Sequence, residues 1–207
     1  MVQILHLDSS PRAERSHSRA FSLEFVTAWQ STHPEDGVTY RDLGRYPVPH
    51  VDEPWVAAAF TPPEARSPDL AAAIALSDQL VDEFMAADRY VFGVPMYNFV
   101  VPSTFKAYVD QIVRLNRTFN MDASGYIPLV PPGKKMMVIT TRGASYSLGS
   151  PAAAYDLQEP FIRNIFNFIG VTDITFIHVE NIDMGDEARE QAFASAHVTI
   201  QSAVASW

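Results

Sequence analysis

The sequence predicts an α/β fold: a five-stranded parallel sheet with helices on both faces. Two observations predict it. Short runs of β-branched and aromatic residues alternate with longer stretches whose apolar residues recur at i, i+3, i+4 and i+7. That alternation calls for parallel strands joined by right-handed crossovers. The size is right as well. The chain has 207 residues, 47% of them hydrophobic and 19% charged, so it can bury a sizeable core and is too apolar to be disordered. A single domain over residues 1–207 is expected.

The elements follow in order. Val2 to Leu7 reads as a first strand ending at Asp8, and Ser9 to Ser18 as a polar loop. The next helix carries Phe21, Phe25 and Trp29 on one face, and His33-Pro34 with Asp36-Gly37 closes it. Val38 to Leu43 is a second strand. Gly44 to Pro68 is a long connection holding Pro47, Pro49, Pro54, Pro62, Pro63 and Pro68, with room for a short helix at Trp55–Phe60. Ser67-Pro68 starts a helix by a capping hydroxyl and a first-turn proline, and Leu70, Ile74, Val81 and Phe84 form its apolar face.

Tyr90 to Val94 is a buried third strand, stopped by Pro95, which has no N–H for a ladder. Phe105, Tyr108, Val109 and Ile112 mark the helix after Pro102. Arg114 to Pro132 is expected to be a second long loop. Met136 to Thr141 is a fourth strand, followed by a small-residue loop from Arg142 to Ser150. A helix is expected from about Pro151 to Ile169, stopped by Gly170. Ile174 to Val179 is the fifth strand, and Asp186 to about Ser206 the last helix.

Five strands suggest the flavodoxin-like order 2-1-3-4-5. Strands 1, 3 and 4 then lie together at the centre. Their following loops, Asp8–Ser18, Pro95–Pro102 and Arg142–Ser150, converge at the carboxyl edge where open α/β sheets bind ligands. The first loop offers Ser9, Ser10, Ser16 and Ser18 at a helix start, where unpaired N–H groups and the helix dipole favour a phosphate. The second, Met96-Tyr-Asn-Phe99, is too apolar for a solvated turn and suits a flat ring. Gly143 and Ala144 permit close backbone approach. No G-x-G-x-x-G and no G-x-x-x-x-G-K-[ST] occurs. A monophosphate with a planar head, such as FMN, fits these loops; helix capping by the serines and core packing by the aromatics are the plain alternatives.

Other classes are excluded. There is no cysteine, so disulfides and thiolate chemistry are absent. The histidines form no H-E-x-x-H, and no metal site is expected. A net charge of −9 without a basic run argues against nucleic acid. No apolar run spans a membrane and no signal peptide is evident, so a cytoplasmic protein is expected.

Further motifs carry a resemblance. Asp8-Ser-Ser-Pro11 with Ser16-His-Ser18, Pro95-Met-Tyr-Asn-Phe99, Pro102-Ser-Thr-Phe-Lys-Ala-Tyr-Val-Asp110, Gly133-Lys-Lys135 and Thr140-Thr-Arg-Gly143 resemble the FMN-dependent NADH:quinone oxidoreductases, also called azoreductases. Leu76-Ser-Asp78 and Phe168-Ile-Gly-Val-Thr-Asp173 extend the similarity over nearly the whole chain. The resemblance implies FMN phosphate on Ser10, Ser16, His17 and Ser18. It implies the ring against Met96, Tyr97, Asn98 and Phe99 and against Thr141, Arg142, Gly143 and Ala144. It implies NADH or NADPH as donor, quinones and aromatic azo compounds as acceptors, and a homodimer with its site at the subunit interface. No side chain is expected to be an indispensable acid or base; the Asn98 backbone N–H and Tyr146 are the candidates nearest the chemistry. One ring-covering cluster and no second nucleotide fingerprint predict ping-pong two-electron transfer.

Leu115-Asn116-Arg117, Met121 and Ala144-Ser-Tyr146 depart from the usual pattern, and bear on substrate range. Arg142 either balances an anionic flavin or pairs on the surface. Trp55, Phe60, Phe119 and Phe161 cover a substrate pocket or a dimer contact. His6 and His178 read as core histidines. The rival function is a flavodoxin-type electron carrier.

Overall fold

The computed structural model describes residues 1–207. Its main sheet is formed by β1 (Gln3–Asp8), β2 (Gly37–Asp42), β3 (Arg89–Pro95), β6 (Lys135–Thr141) and β7 (Asp173–Val179). All neighbouring pairs are parallel, in the order β2-β1-β3-β6-β7. With the hairpin strands described below set aside, this is consistent with the expected 2-1-3-4-5.

The two faces are covered by different helices, because successive strand residues point to opposite sides. Ile4, Val91, Met137, Ile139 and Ile177 face α1 (His17–Thr32) and α6 (Asp186–Ser206), which contribute Phe21, Phe25, Trp29, Ala196, Ile200 and Val204. Leu5, Leu7, Tyr90, Phe92, Val94, Met136 and Val138 face the other way. There they meet Leu80, Val81 and Phe84 of α3 (Pro68–Ala86), Phe105 and Tyr108 of α4 (Ser103–Ile112), and Ile162 and Phe166 of α5 (Gln158–Ile169).

The proline-rich connection does form a short helix, α2 (Glu53–Phe60), capped by the Asp52 side chain. It is strapped to α4 by one buried side chain. Gln111 accepts from Trp55 Nε1 at 2.8 Å and donates to the Pro49 carbonyl at 2.9 Å.

Two expectations need correction. Residues 114–132 are not a structureless loop: β4 (Phe119–Asp122) and β5 (Gly125–Pro128) form an antiparallel hairpin. Gly125, at φ +120°, makes its tight end possible. Helix α5 does not begin at Pro151. It begins at Gln158, where the Asp156 carboxylate accepts from the Gln158 and Glu159 amides at 3.0 and 3.1 Å. That is the hydrogen bonding of an N-terminal cap, and only a single 3-10 turn, Ala153–Tyr155, precedes it.

Candidate functional site

β1, β3 and β6 end side by side, and their exits open a cleft of about 430 Å³. Ser10, Arg12, Ser16, His17, Pro95, Met96, Tyr97, Thr141, Gly143, Ile182 and Asp183 line it. Seven of the expected residues are therefore brought together: Ser10, Ser16, His17, Met96, Tyr97, Thr141 and Gly143.

The first wall is the start of α1. Ser16 is its N-cap, and its hydroxyl accepts from the Arg19 amide at 3.3 Å. The Ala20 amide bonds the Ser16 carbonyl. The amides of His17 and Ser18 take no acceptor from the chain, as the first turn of a helix dictates. Ser18 itself is buried behind the cleft, with its hydroxyl 3.3 Å from that of Ser16. Burial, ahead of the nearby Arg12 guanidinium, lowers the His17 pKa, so its ring is neutral near pH 7. Arg12 is the one permanent cation on the lining and Asp183 the one carboxylate. Below this wall Gly44 is packed so closely that a Cβ would meet the Ser10 carbonyl oxygen at 1.9 Å.

The second wall is a tight turn. The Tyr97 and Val100 amides and carbonyls exchange bonds of 3.0 and 3.1 Å, closing a one-bridge hairpin. Its central residues, Asn98 and Phe99, have φ of +48° and +70°, the signature of a type I′ turn. Asparagine suits that conformation; phenylalanine there is strained. The Asn98 amide has no acceptor in the chain and its side chain is exposed. Phe99 is 44% exposed and stacks on Tyr155, ring centroids 5.2 Å apart.

The third wall follows β6. The Thr141 carbonyl accepts from the Met96 amide at 2.9 Å, tying this wall to the second. Gly143 approaches Asp183 so closely that a Cβ would lie 2.7 Å from its Oδ2. Ala144 and Tyr146 are half-buried and do not line the cleft. Arg142 is neither on the surface nor on the cleft. It is 1% exposed, and its guanidinium pairs with Asp156 at 2.9 Å and Glu180 at 3.3 Å.

Sequence reasoning missed Arg12, Ile182 and Asp183. Arg12 lies in the loop singled out for its hydroxyls. Ile182 and Asp183 follow the edge strand β7, whose exit was not expected to reach the site. Asn181, at φ +64°, redirects the chain. The Ile182 and Asp183 amides then bond the carbonyls of Arg142 and Gly143 at 3.2 and 3.0 Å.

The departures from the family pattern lie apart from this cleft. Leu115 and Met121 line an apolar slot of about 670 Å³ with Trp55, Phe60, Phe119 and Tyr126. Asn116 and Arg117 border a neighbouring cavity, and Arg117 pairs with Asp78 at 2.6 Å.

Comparison with known proteins agrees with this fold. Residues 2–204 match the family described as having the flavodoxin-like fold. A protein of Nostoc punctiforme named FMN-dependent NADH:quinone oxidoreductase is 64% identical over 207 residues, covering 100% of both chains. The chain belongs to the FMN-dependent NADH:quinone oxidoreductase family. A second member, from Trichormus variabilis, is 62% identical over the full length of both. Among solved structures, an azoreductase from Bacillus anthracis superposes with a TM-score of 0.92 at 24% identity, covering 100% of both chains. An FMN-dependent NADH-azoreductase of the same species, solved in complex with FMN, gives 0.85 at 20% identity, covering 98% of this chain and 99% of the other. These likenesses extend the fold of the quinone oxidoreductase family beyond its close members.

Proposed function

We propose that this chain is an FMN-dependent oxidoreductase that uses NADH to reduce quinones, and that it also cleaves aromatic azo compounds. One observation carries the reading. A single cleft brings Ser10, Ser16 and His17, at the helix start whose first amides are unpaired, together with Met96 and Tyr97 at the entrance to the 97–100 turn and with Thr141 and Gly143. The helix start is suited to a phosphate and the other two walls to a flat heterocycle. FMN is the cofactor both ends fit, and it is the one named in a relative 64% identical over the whole chain.

In this reading the cofactor supplies hydride acceptance and two-electron delivery, and the chain supplies binding and orientation. The α1 amides, with Ser10 and Ser16, hold the phosphate. Arg12 offsets part of its charge. The 97–100 turn presents the Asn98 N–H to the ring edge without asking anything of the side chain. Tyr97 and Met96 exclude water from the face they cover. His17, Arg12, Asp183 and Tyr97 are the ionisable groups on the lining, and none is placed as an indispensable proton donor.

A homodimer completes the proposal. Phe60, Met121 and Tyr126 are 73%, 59% and 65% exposed around the apolar slot, and a partner subunit would cover them. No helix is long and apolar enough to cross a membrane.

The test is direct. Purified protein should carry FMN, oxidise NADH with a quinone acceptor, and bleach an aromatic azo compound. Protein that stays colourless with added FMN and turns over neither acceptor would reject the reading. Light scattering on a sizing column decides the dimer.

A further inference from the structure

We propose that Arg142 is a positioning residue for the flavin site, a buried guanidinium that holds the second and third walls of the cleft at a fixed separation. The proposal rests on the FMN reading above. Its geometry begins at the end of β6, where the Arg142 backbone amide donates a hydrogen bond to the Val179 carbonyl at 2.9 Å. The side chain then turns under the site instead of into it.

Three contacts radiate from it. The Arg142 Nε donates to Gln158 Oε1 at 3.2 Å, and Gln158 Nε2 donates in turn to the Val94 carbonyl at 3.1 Å. That relay reaches the last turn-free residues of β3, directly before Pro95-Met-Tyr-Asn-Phe99. The guanidinium also pairs with Asp156, whose carboxylate caps α5 through the Gln158 and Glu159 amides. The start of that helix touches the strained turn itself, since the Leu157 amide donates to the Phe99 carbonyl at 3.2 Å. Arg142 pairs finally with Glu180. Glu180 spends its other bonds on the third wall, accepting from the Ser145 hydroxyl at 2.7 Å and the Tyr146 amide at 2.9 Å.

One side chain therefore reaches the loop after β3, the loop after β6 and the segment after β7. Two carboxylates and an amide surround a guanidinium that solvent barely reaches. Such a centre has one low-energy arrangement, because an uncompensated charge left there would be costly. A helix, a strand end and two loops then move together or not at all. The separation of the second and third walls is then set by this centre together with the hydrogen bond from the Met96 amide to the Thr141 carbonyl.

The experiment compares Arg142→Met, Arg142→Lys and Gln158→Leu with the parent holoenzyme. Arg114→Met serves as control, since Arg114 is also a buried arginine, bonded to Ser77 and Asp78. FMN release on dilution, flavin midpoint potential, KM and kcat for a quinone, and amide exchange across residues 95–102 and 142–150 are read on each. Arg142→Met should weaken FMN retention about tenfold, raise the quinone KM more than it lowers kcat, and speed exchange in both segments. Arg142→Lys should recover part of the loss, and Gln158→Leu should loosen the 95–102 segment more than the other. Arg114→Met should lower the melting temperature while leaving FMN retention within about twofold. If Arg142→Met does not fold, the lysine and Gln158 variants decide. Parent-like FMN retention, KM and exchange in those two variants, or equal losses in the Arg114 control, would make the centre merely structural and overturn the proposal. A parent that holds no FMN would instead reject the functional reading, with amide exchange still reporting whether Arg142 couples the two loops.

Discussion

The hydroxyls of Ser16 and Ser18 lie 3.3 Å apart at the first turn of α1, where the helix leaves the His17 and Ser18 amides without acceptors. Both residues are nearly inaccessible, so this pocket of donors is built by the fold rather than borrowed from solvent. It separates helix stability from anion binding. Aspartate is as good an N-cap as serine and favours the positive end of the dipole. Ser16→Asp should therefore keep or raise the melting temperature. It also sets a carboxylate against a phosphate of roughly −1.5 to −2 charge. At about 4 Å and an effective dielectric near 20, one such charge costs ~4 kcal/mol, so FMN affinity should fall by on the order of 100-fold or more. Ser16→Ala removes one hydroxyl and the cap, and should do the reverse: cost about 1 kcal/mol in stability but only modestly weaken FMN. Equal FMN affinity in parent and Ser16→Asp would place the phosphate elsewhere.

Strain in the 97–100 turn gives a second expectation. Left-handed backbone costs an ordinary L-residue roughly 1–2 kcal/mol, which glycine and asparagine largely avoid. Asn98→Gly keeps the backbone N–H and the turn, and should retain FMN and turnover. Asn98→Val keeps the N–H but disfavours φ +48°, and should lower stability by about 1–2 kcal/mol and turnover with it. If the glycine variant loses activity while remaining stable, the Asn98 side chain, not its backbone, does the work.

A third expectation concerns pH. His6 and Asp8 face each other within β1, with Nε2 and Oδ2 3.6 Å apart. Burial raises the Asp8 pKa to about 6, outweighing the hydrogen bonds from Ser22 and Tyr40 and the charge of Arg19. Burial, then Arg19, lowers the His6 pKa to about 4. The signs oppose. Folded Asp8 keeps its proton over a window in which the unfolded chain has lost it, so its contribution to stability falls as pH rises from about 4 to about 6. Folded His6 lacks a proton that the unfolded chain binds between about 4 and 6.5, so its contribution rises over nearly the same window. Each amounts to about 3 kcal/mol, and together they nearly cancel. Urea unfolding of Asp8→Asn should expose the His6 limb, with stability rising from pH 4 to 6. His6→Gln should expose the opposite slope. Parallel profiles in the two variants would contradict this account.

How much of this was legible in the sequence depends on range. The strands were readable because each is a short β-branched or aromatic run bounded by its own punctuation. The three loops could be joined because a parallel order with strands 1, 3 and 4 central leaves them nowhere else to go. The β4–β5 hairpin was not readable: its strands are four residues each, too short for the alternation of Phe119-Asn-Met-Asp122 to stand out within a loop. Pro151 looked like a helix start, but Asp156 captured the amides that begin α5. The surroundings of Arg142 were hidden for a different reason. Its partners lie 14 and 38 residues away, one across a helix start and one past the edge strand. No local pattern announces such a meeting.

The last expectation is a ping-pong reaction through one cleft. The three walls converge on a single opening, and the apolar slot lined by Leu115 and Met121 is separate from it. Hydride transfer needs the nicotinamide within about 3–3.5 Å of the flavin ring, and a quinone needs the same closeness to the same ring. With the ring held against Met96 and Tyr97, as proposed, that face would be closed by protein. Both substrates then use the one open face, and oxidised nicotinamide must leave before the quinone enters. Initial rates at several fixed quinone concentrations should give parallel double-reciprocal lines in NADH. Enzyme reduced with NADH and freed of nucleotide should still reduce a quinone in a single turnover. Intersecting lines, with no turnover by the nucleotide-free reduced enzyme, would require a ternary complex and a second binding face that the 97–100 turn would have to open to provide.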